Sequence, residues 1–376
     1  MFAVGFLAFA GTNVLSAQDS ISVAVPADSM AQPATVPSSH SEHHEASAHA
    51  PVSSNTVNVL DKLANHYYLD FKPVGKIELP RIFYSKDGGI EFYASTSAAI
   101  ASGRWADDHG MVTKYGESYP ASYHISPVDG DVHGFIDFSL SSHLVFFWFA
   151  GFLTLFIFWL QVRKYQAGTG RTTAPEGAAQ NLLETLVIFI RDEVARPNIG
   201  EKYIRFTPYL LTAFFMILFM NLFGLVPWGV SSTADVTVTA VLAITTFLVT
   251  QLSASKDHWV HVFWFPGVPA WIRIILTPVE IIGLFTKPFA LCIRLFANMA
   301  SGKVLIYSII GLIFVFYNQF GAGIAYGTSW LWVLFALFIF VIKVVVAFLQ
   351  AYIFTMLSSL FIGLAVAEHH HEEHAH

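Results

Sequence analysis

Residues 274–366 run through apolar side chains almost without a break, yet a few ionisable groups stand inside that run. Nothing else in the chain constrains its fold as strongly. A hydrocarbon core ~30 Å thick offers no water to backbone amides, so a run of this kind crosses it as helix. The stretch NQFGAGIAYGTSW (318–330) divides the region and predicts helices over about 274–317 and 329–366. At ~1.5 Å per residue the first would extend about 66 Å, so it has to lie strongly tilted or bend.

The rest of the chain agrees. With 55% hydrophobic residues, 12% charged residues and a mean hydropathy of +0.55, an ordinary soluble domain is excluded. Further spans are predicted at about 140–162, 208–228 and 236–254, giving an all-α polytopic membrane protein of about five transmembrane helices, the last two paired as a long tilted hairpin. The loop after the first span carries Arg163, Lys164, Arg171, Arg191, Arg196, Lys202 and Arg205, which by the positive-inside rule makes it cytoplasmic. Five passes then leave the N-terminus outside and the C-terminus inside; the resemblance described below implies that the membrane is the cell inner membrane. Within that loop NLLETLVIFIRDEV has apolar residues at helical spacing and is expected to lie along the membrane surface.

Ahead of the membrane part, residues 1–17 resemble a secretory signal without its basic start, and residues 18–57 are a polar His/Ser/Pro/Ala-rich linker. Its SHSEHHEASAHA, and the EHHHEEHAH of the cytoplasmic tail (367–376), match no defined metal-site spacing and read as solvated low-complexity tracts. Residues 58–138 are expected to form a small β-containing extracytoplasmic domain, since RIFYSKDGGIEFYAS reads as two alternating strands around an Asp87-Gly88-Gly89 turn. The single cysteine, Cys292, rules out an intrachain disulfide and reads as a small buried hydrophobe.

The chemistry is expected in LTPVEIIGLFTKPFALCIRLFANMASGK, which puts Glu280, Lys287, Arg294 and Asn298 on one helix face, because intervals of 7, 14 and 18 residues are close to whole turns. The second long helix repeats the device with Lys343 and Gln350. In an antiparallel hairpin Arg294 then comes level with Gln350, and Lys303 with Lys343. Basic residues near helix ends commonly snorkel to the headgroups, which suits Lys287 and Lys303. Arg294 is flanked by apolar residues for more than two turns on each side, apart from its own stripe, and its guanidinium stays protonated in poor solvent. A permanent positive charge at membrane depth suits an electrostatic gate.

PVEIIGLFTKPFALCIRLFANMASGK followed by VVAFLQAYIFTMLS resembles the two most diagnostic helices of the ATP synthase subunit a family, and MNLFGLVP, TADVTVTAVLA and FPGVP support the resemblance over roughly residues 135–366. It implies a proton-translocating membrane-sector subunit without cofactor or catalytic site of its own, working with a c-ring, b-type stator stalk subunits, the rest of the complex and membrane lipid, not nucleic acid. Arg294 is similar in position to the family's essential arginine, which faces the c-ring between two offset half-channels. Asn298 and Gln350 match the polar residues flanking it, Glu280 an acidic residue on the cytoplasmic exit side, and Asp235 an acidic position near the outer entrance, where it could equally cap a helix. The departure lies at Lys303 and Lys343, where the family usually has a Glu/His pair in the inlet half-channel. Two ammonium groups at one depth would repel, so at least one is expected to be neutral, snorkelled or paired with an unseen acid. The alternatives are an autonomous secondary transporter or metal-ion channel, for which no internal repeat is visible, and a structural anchor, which does not require Arg294.

Overall fold

The computed structural model describes residues 67–71, 75–85, 89–107, 111–114, 117–120, 125–127, 135–168, 177–226, 229–263 and 269–367. The expected signal segment, linker and His/Glu-rich tail fall outside the described residues, save for Ala367. The chain divides into two compact units, Met1–Val57 with Pro80–Ser139, and Asn58–Leu79 with Leu140–His376.

In chain order, strands β1 (Tyr68–Phe71) and β2 (Gly75–Glu78) pair antiparallel and belong to the second unit. The first unit contains β3 (Arg81–Ser85), β4 (Gly89–Tyr93), the short helix α1 (Thr96–Ala101), β5 (Trp105–Asp107), β6 (Met111–Lys114), β7 (Glu117–Pro120), β8 (Ile125–Pro127) and β9 (Phe135–Asp137). The two strands expected around residues 81–95 are β3 and β4, paired antiparallel from Arg81 opposite Tyr93 to Ser85 opposite Gly89. Strand β9 joins the other edge of β3, giving the order β4-β3-β9. Alternation puts Phe83 inward, where it stacks on Trp105 with centroids 4.1 Å apart and packs with Ala99 into the small core. Glu91 gathers bonds from the Trp105 indole N–H at 3.1 Å, the Tyr93 hydroxyl at 2.8 Å and the Arg104 guanidinium.

The second unit is helical. Helix α2 (Ser142–Gln166) opens with the Ser141 hydroxyl capping Leu144 N–H and closes with Arg163 and Lys164 in its last turn, each charge suited to its end of the helix dipole. Helix α3 (Ala178–Phe189) is the amphipathic segment; it passes through one π-helical stretch (Ile190–Ala195) and the single turn α4 (Arg196–Ile199) before a 3-10 turn (Gly200–Lys202) and α5 (Tyr203–Leu225). A 3-10 turn (Ser232–Ala234) leads into α6 (Val236–Leu252), which is followed by α7 (Lys256–Phe263) at a bend of 104°. Two very long helices complete the unit, α8 (Ala270–Phe320, 51 residues) and α9 (Ala322–Val366, 45 residues).

Among the described residues four helices are long and apolar enough to cross a membrane, or five if the bent α6–α7 pair counts as one span. Both long helices exceed the lengths expected from the sequence. The 13-residue separator contracts to one residue, Gly321 at φ 82°, because the alanines and glycines after it carry no proline and continue as helix, while Gly321 alone takes the left-handed turn. At 51 residues α8 rises about 76 Å, more than twice the hydrocarbon thickness, so it crosses strongly tilted. Pro278 and Pro288 lie inside it without ending it.

Candidate functional site

The long hairpin of α8 on α9 supplies the centre of the site, and α5 and α6 pack against it. Because α8 is unbroken from residue 270 to 320, Glu280, Lys287, Arg294 and Asn298 keep the whole-turn spacing that puts them on one stripe. Asn298 Nδ2 donates to Gln350 Oε1 at 2.6 Å, joining the two helices one turn from Arg294. Gln350 is only 2% exposed, and its Nε2 is buried without a hydrogen-bond partner among the described residues.

Arg294 itself lies at the middle of α8 and faces outward, exposed on the surface of the single chain. Among the described residues none hydrogen-bonds or ion-pairs with its guanidinium. A charge at this depth that none of the described residues meets has to be met by water or by a group beyond them.

The lysines differ from each other. Lys343 Nζ donates to the Asn298 main-chain oxygen at 2.9 Å and its methylenes lie over Gly302, where a Cβ would fall 2.3 Å from Cε. Lys343 is thus partnered by a carbonyl. Lys303 is half-buried, and among the described residues no carboxylate pairs with either lysine. Cys292 is buried and its Sγ lies 3.4 Å from Thr239 Oγ1, so it packs as the small residue expected.

Asp235 stands at the start of α6, where Oδ1 accepts from Thr237 N–H at 2.7 Å; the carboxylate caps the helix. Glu280 and Lys287 lie on the stretch of α8 that also faces α7, and both act electrostatically on His258. A small cavity of about 20 Å³ there is lined by Thr246, Thr250, Gln251, His258 and Lys287 together with apolar side chains of α9.

Reading residue by residue along the sequence missed a buried polar seam that runs from α2 through the turn before α6 and α5 to α9. His143 Nδ1 meets the Ser231 carbonyl at 3.0 Å, and Ser232 Oγ donates to the His143 carbonyl at 2.8 Å. Thr233 Oγ1 donates to Asn221 Oδ1 at 2.8 Å, and Asn221 Nδ2 donates to the Ala347 carbonyl at 3.1 Å. His143 is 5% exposed, and Asn221, Ser231, Ser232 and Thr233 are fully buried. The available signal was a histidine in SSHLVFFWF and an asparagine in MNLFGLVP, polar residues within otherwise apolar runs.

Tilted apolar helices enclosing bonded amides and lysines define the class, a multi-pass helical membrane protein. Residues 144–363 match the family described as ATP synthase A chain, more than half of the chain, and the chain belongs to that family. It is similar to the ATP synthase subunit a of Chloroherpeton thalassium (strain ATCC 35110 / GB-78), 50% identical over 249 residues, which cover 65% of this chain and 72% of the relative. It is likewise similar to the ATP synthase subunit a of Myxococcus xanthus (strain DK1622), 42% identical over 275 residues, 70% of this chain and 82% of the relative. Membership makes the chain a membrane-sector component of an ATP synthase complex.

Proposed function

We propose that the chain is the proton-translocating stator of its complex, and that Arg294 is the fixed positive gate between two half-channels. The observation that carries this is the guanidinium at the middle of a strongly tilted apolar helix, facing out of the subunit with no counter-ion among the described residues. A ring of carboxylate-bearing subunits turning past this face supplies the missing charge. Arg294 favours each carboxylate in its ionised form as it passes, and it blocks direct proton leakage because a guanidinium cannot give up its proton at this pH. Asn298 and Gln350, bonded to each other, hold the adjacent turn of α8 against α9. Asp235 and the lysines Lys303 and Lys343 belong to the inlet side, Glu280 to the exit side. In this arrangement the N-terminus is extracytoplasmic, the C-terminus cytoplasmic, a b-type stalk braces the subunit, and ATP is made on partner subunits in the cytoplasm.

Arg294→Ala tests the reading. Inverted vesicles carrying assembled complex with this substitution are expected to lose ATP-driven proton pumping. Intact pumping overturns the proposal and leaves an autonomous transporter or channel as the better account.

A further inference from the structure

We infer that the small cavity where α6, α7, α8 and α9 meet is a binding site for one ordered water molecule, which joins Gln251 Oε1, His258 Nε2 and the Lys287 ammonium and pins the α6–α7 bend onto α8. The site stands on the fold alone. Its bearing on the exit side rests on the proposed function.

Among the described residues, Gln251 Oε1 and His258 Nε2 are both buried without a hydrogen-bond partner. None of the described residues hydrogen-bonds or ion-pairs with the half-buried Lys287 ammonium, which lies 5.8 Å from the Phe361 ring centroid. These four residues line one cavity of about 20 Å³. A single water needs roughly 10–15 Å³ of such space and two to four polar partners, and the cavity offers both. An amide oxygen or ring nitrogen taken out of water and left unbonded costs free energy that a bound water recovers.

The set of donors and acceptors selects water over an ion. Thr246 and Thr250, which also line the cavity, donate their hydroxyls to the Leu242 and Thr246 carbonyls of their own helix at 3.0 and 2.8 Å. The unsatisfied groups are therefore the other three. An amide oxygen only accepts and an ammonium only donates, whereas water does both. It accepts from Lys287 Nζ, gives one hydrogen to Gln251 Oε1 and gives the other to His258 Nε2, which is bare in the Nδ1–H tautomer. A metal cation would meet the Lys287 charge with no carboxylate among the lining residues, and an anion would face the lone pairs of Gln251.

The position of this water accounts for the bend. Gln251 lies in the last turn of α6 and His258 in the first turn of α7, on either side of the 104° change of direction. The connecting Ser253-Ala254-Ser255 holds neither proline nor glycine to set that angle. Ser255 ties the connection to the end of α9, its N–H donating to the Ala365 carbonyl at 2.8 Å and its hydroxyl to the Ala367 carbonyl at 3.1 Å. The water supplies the tie on the cavity side and carries it to α8 through Lys287. Lys287 shares the stripe of Arg294 seven residues away, so the water also fixes where this second positive charge sits on the exit side. His258 is thereby a positioning residue for Lys287.

The test is electron cryomicroscopy of the wild-type ATP synthase complex at a resolution that shows ordered water. A peak is expected within about 2.7–3.2 Å of Gln251 Oε1, His258 Nε2 and Lys287 Nζ. A cavity without density, or one closed by a direct bond between Gln251 and His258, overturns the inference. Acylation of Lys287 by a membrane-permeant reagent, followed by mass spectrometry of the same complex, gives a second arm. His258→Phe keeps a ring but removes Nε2, and Lys287 is expected to react several-fold faster than in wild type. His258→Gln returns an amide near the position of Nε2 and is expected to restore the wild-type rate. An unchanged Lys287 rate in assembled His258→Phe overturns the positioning role, and so does an equal increase in both variants. If neither variant assembles, the wild-type density alone decides. Neither arm reads pumping, so loss of the Arg294 gate leaves this inference standing, and an empty cavity leaves the gate standing.

Discussion

Asn298 Nδ2 and Gln350 Oε1 are joined at 2.6 Å across the long hairpin, and the same Asn298 accepts Lys343 Nζ on its main-chain oxygen. One residue of α8 therefore fixes α9 at two points. Asn298→Ala removes the side-chain bond and strands the Gln350 oxygen in a site only 2% exposed, costing about 1–3 kcal/mol. The expected outcome is a subunit that is more protease-sensitive in its membrane complex and pumps less. A double-mutant cycle with Gln350→Ala is expected to give a coupling of roughly 0.5–3 kcal/mol, and strict additivity of the two losses counts against the bond.

Two glycines in the hairpin predict opposite kinds of damage. A Cβ on Gly302 meets the flexible end of Lys343, which can swing aside, so Gly302→Ala is expected to leave assembly intact and release Lys343 from Asn298. A Cβ on Gly363 falls 1.9 Å from the Asn198 carbonyl, a backbone atom that cannot move aside cheaply, so Gly363→Ala is expected to lower assembled subunit several-fold. Immunoblots of washed membranes together with pumping assays distinguish the two. Equal loss of subunit in both variants contradicts the packing described.

These contacts show what was legible in the sequence and what was not. Membrane depth, the span count and the stripe of Glu280, Lys287, Arg294 and Asn298 follow from length, hydropathy and helical period, because those depend only on neighbours along the chain. The strand pair at Arg81–Ser85 and Gly89–Tyr93 is legible for the same reason. The contraction of the separator to Gly321 is not, since GAGIAYGTSW holds glycines at 321, 323 and 327 and only tertiary packing selects which one turns. The 104° bend after Leu252 and the seam from His143 to Ala347 are likewise hidden. The seam's members come from four elements, with bonded partners as far as 126 residues apart, and no local pattern brings them together.

The strand-containing first unit carries its own pH dependence. Burial would raise the Glu91 carboxyl, but bonds from Trp105, Tyr93 and Arg104 outweigh it and hold the group below the usual carboxylate range. A lowered folded-state value means this contribution is fully present above the unfolded carboxylate value, and is lost as pH falls through the folded one. Limited proteolysis of intact complex is expected to show cleavage within residues 80–139 rising at acid pH. Glu91→Gln is expected to flatten that rise and to destabilise the unit at neutral pH by no more than about 1 kcal/mol, since its ion-pair partner Arg104 is largely exposed to solvent.

Asp235 has two separable parts to play, and one pair of substitutions separates them. Its Oδ1 caps α6 by accepting from Thr237 N–H, a role an asparagine side chain fills nearly as well. Its charge is a different matter. A carboxylate at the N-terminal end of α6, next to the turn that carries Ser231 and Ser232, would in the proposed orientation raise the local concentration of protons and cations at the start of the inlet. Asp235→Asn is therefore expected to assemble at wild-type level while its proton-driven rate falls, with the deficit growing as external pH rises and protons become scarce. Asp235→Ala loses the cap as well, at about 1 kcal/mol, and is expected to show the same rate deficit together with lower subunit content. A wild-type rate in Asp235→Asn at every pH assigns the residue to capping alone and leaves the inlet without a carboxylate at its mouth.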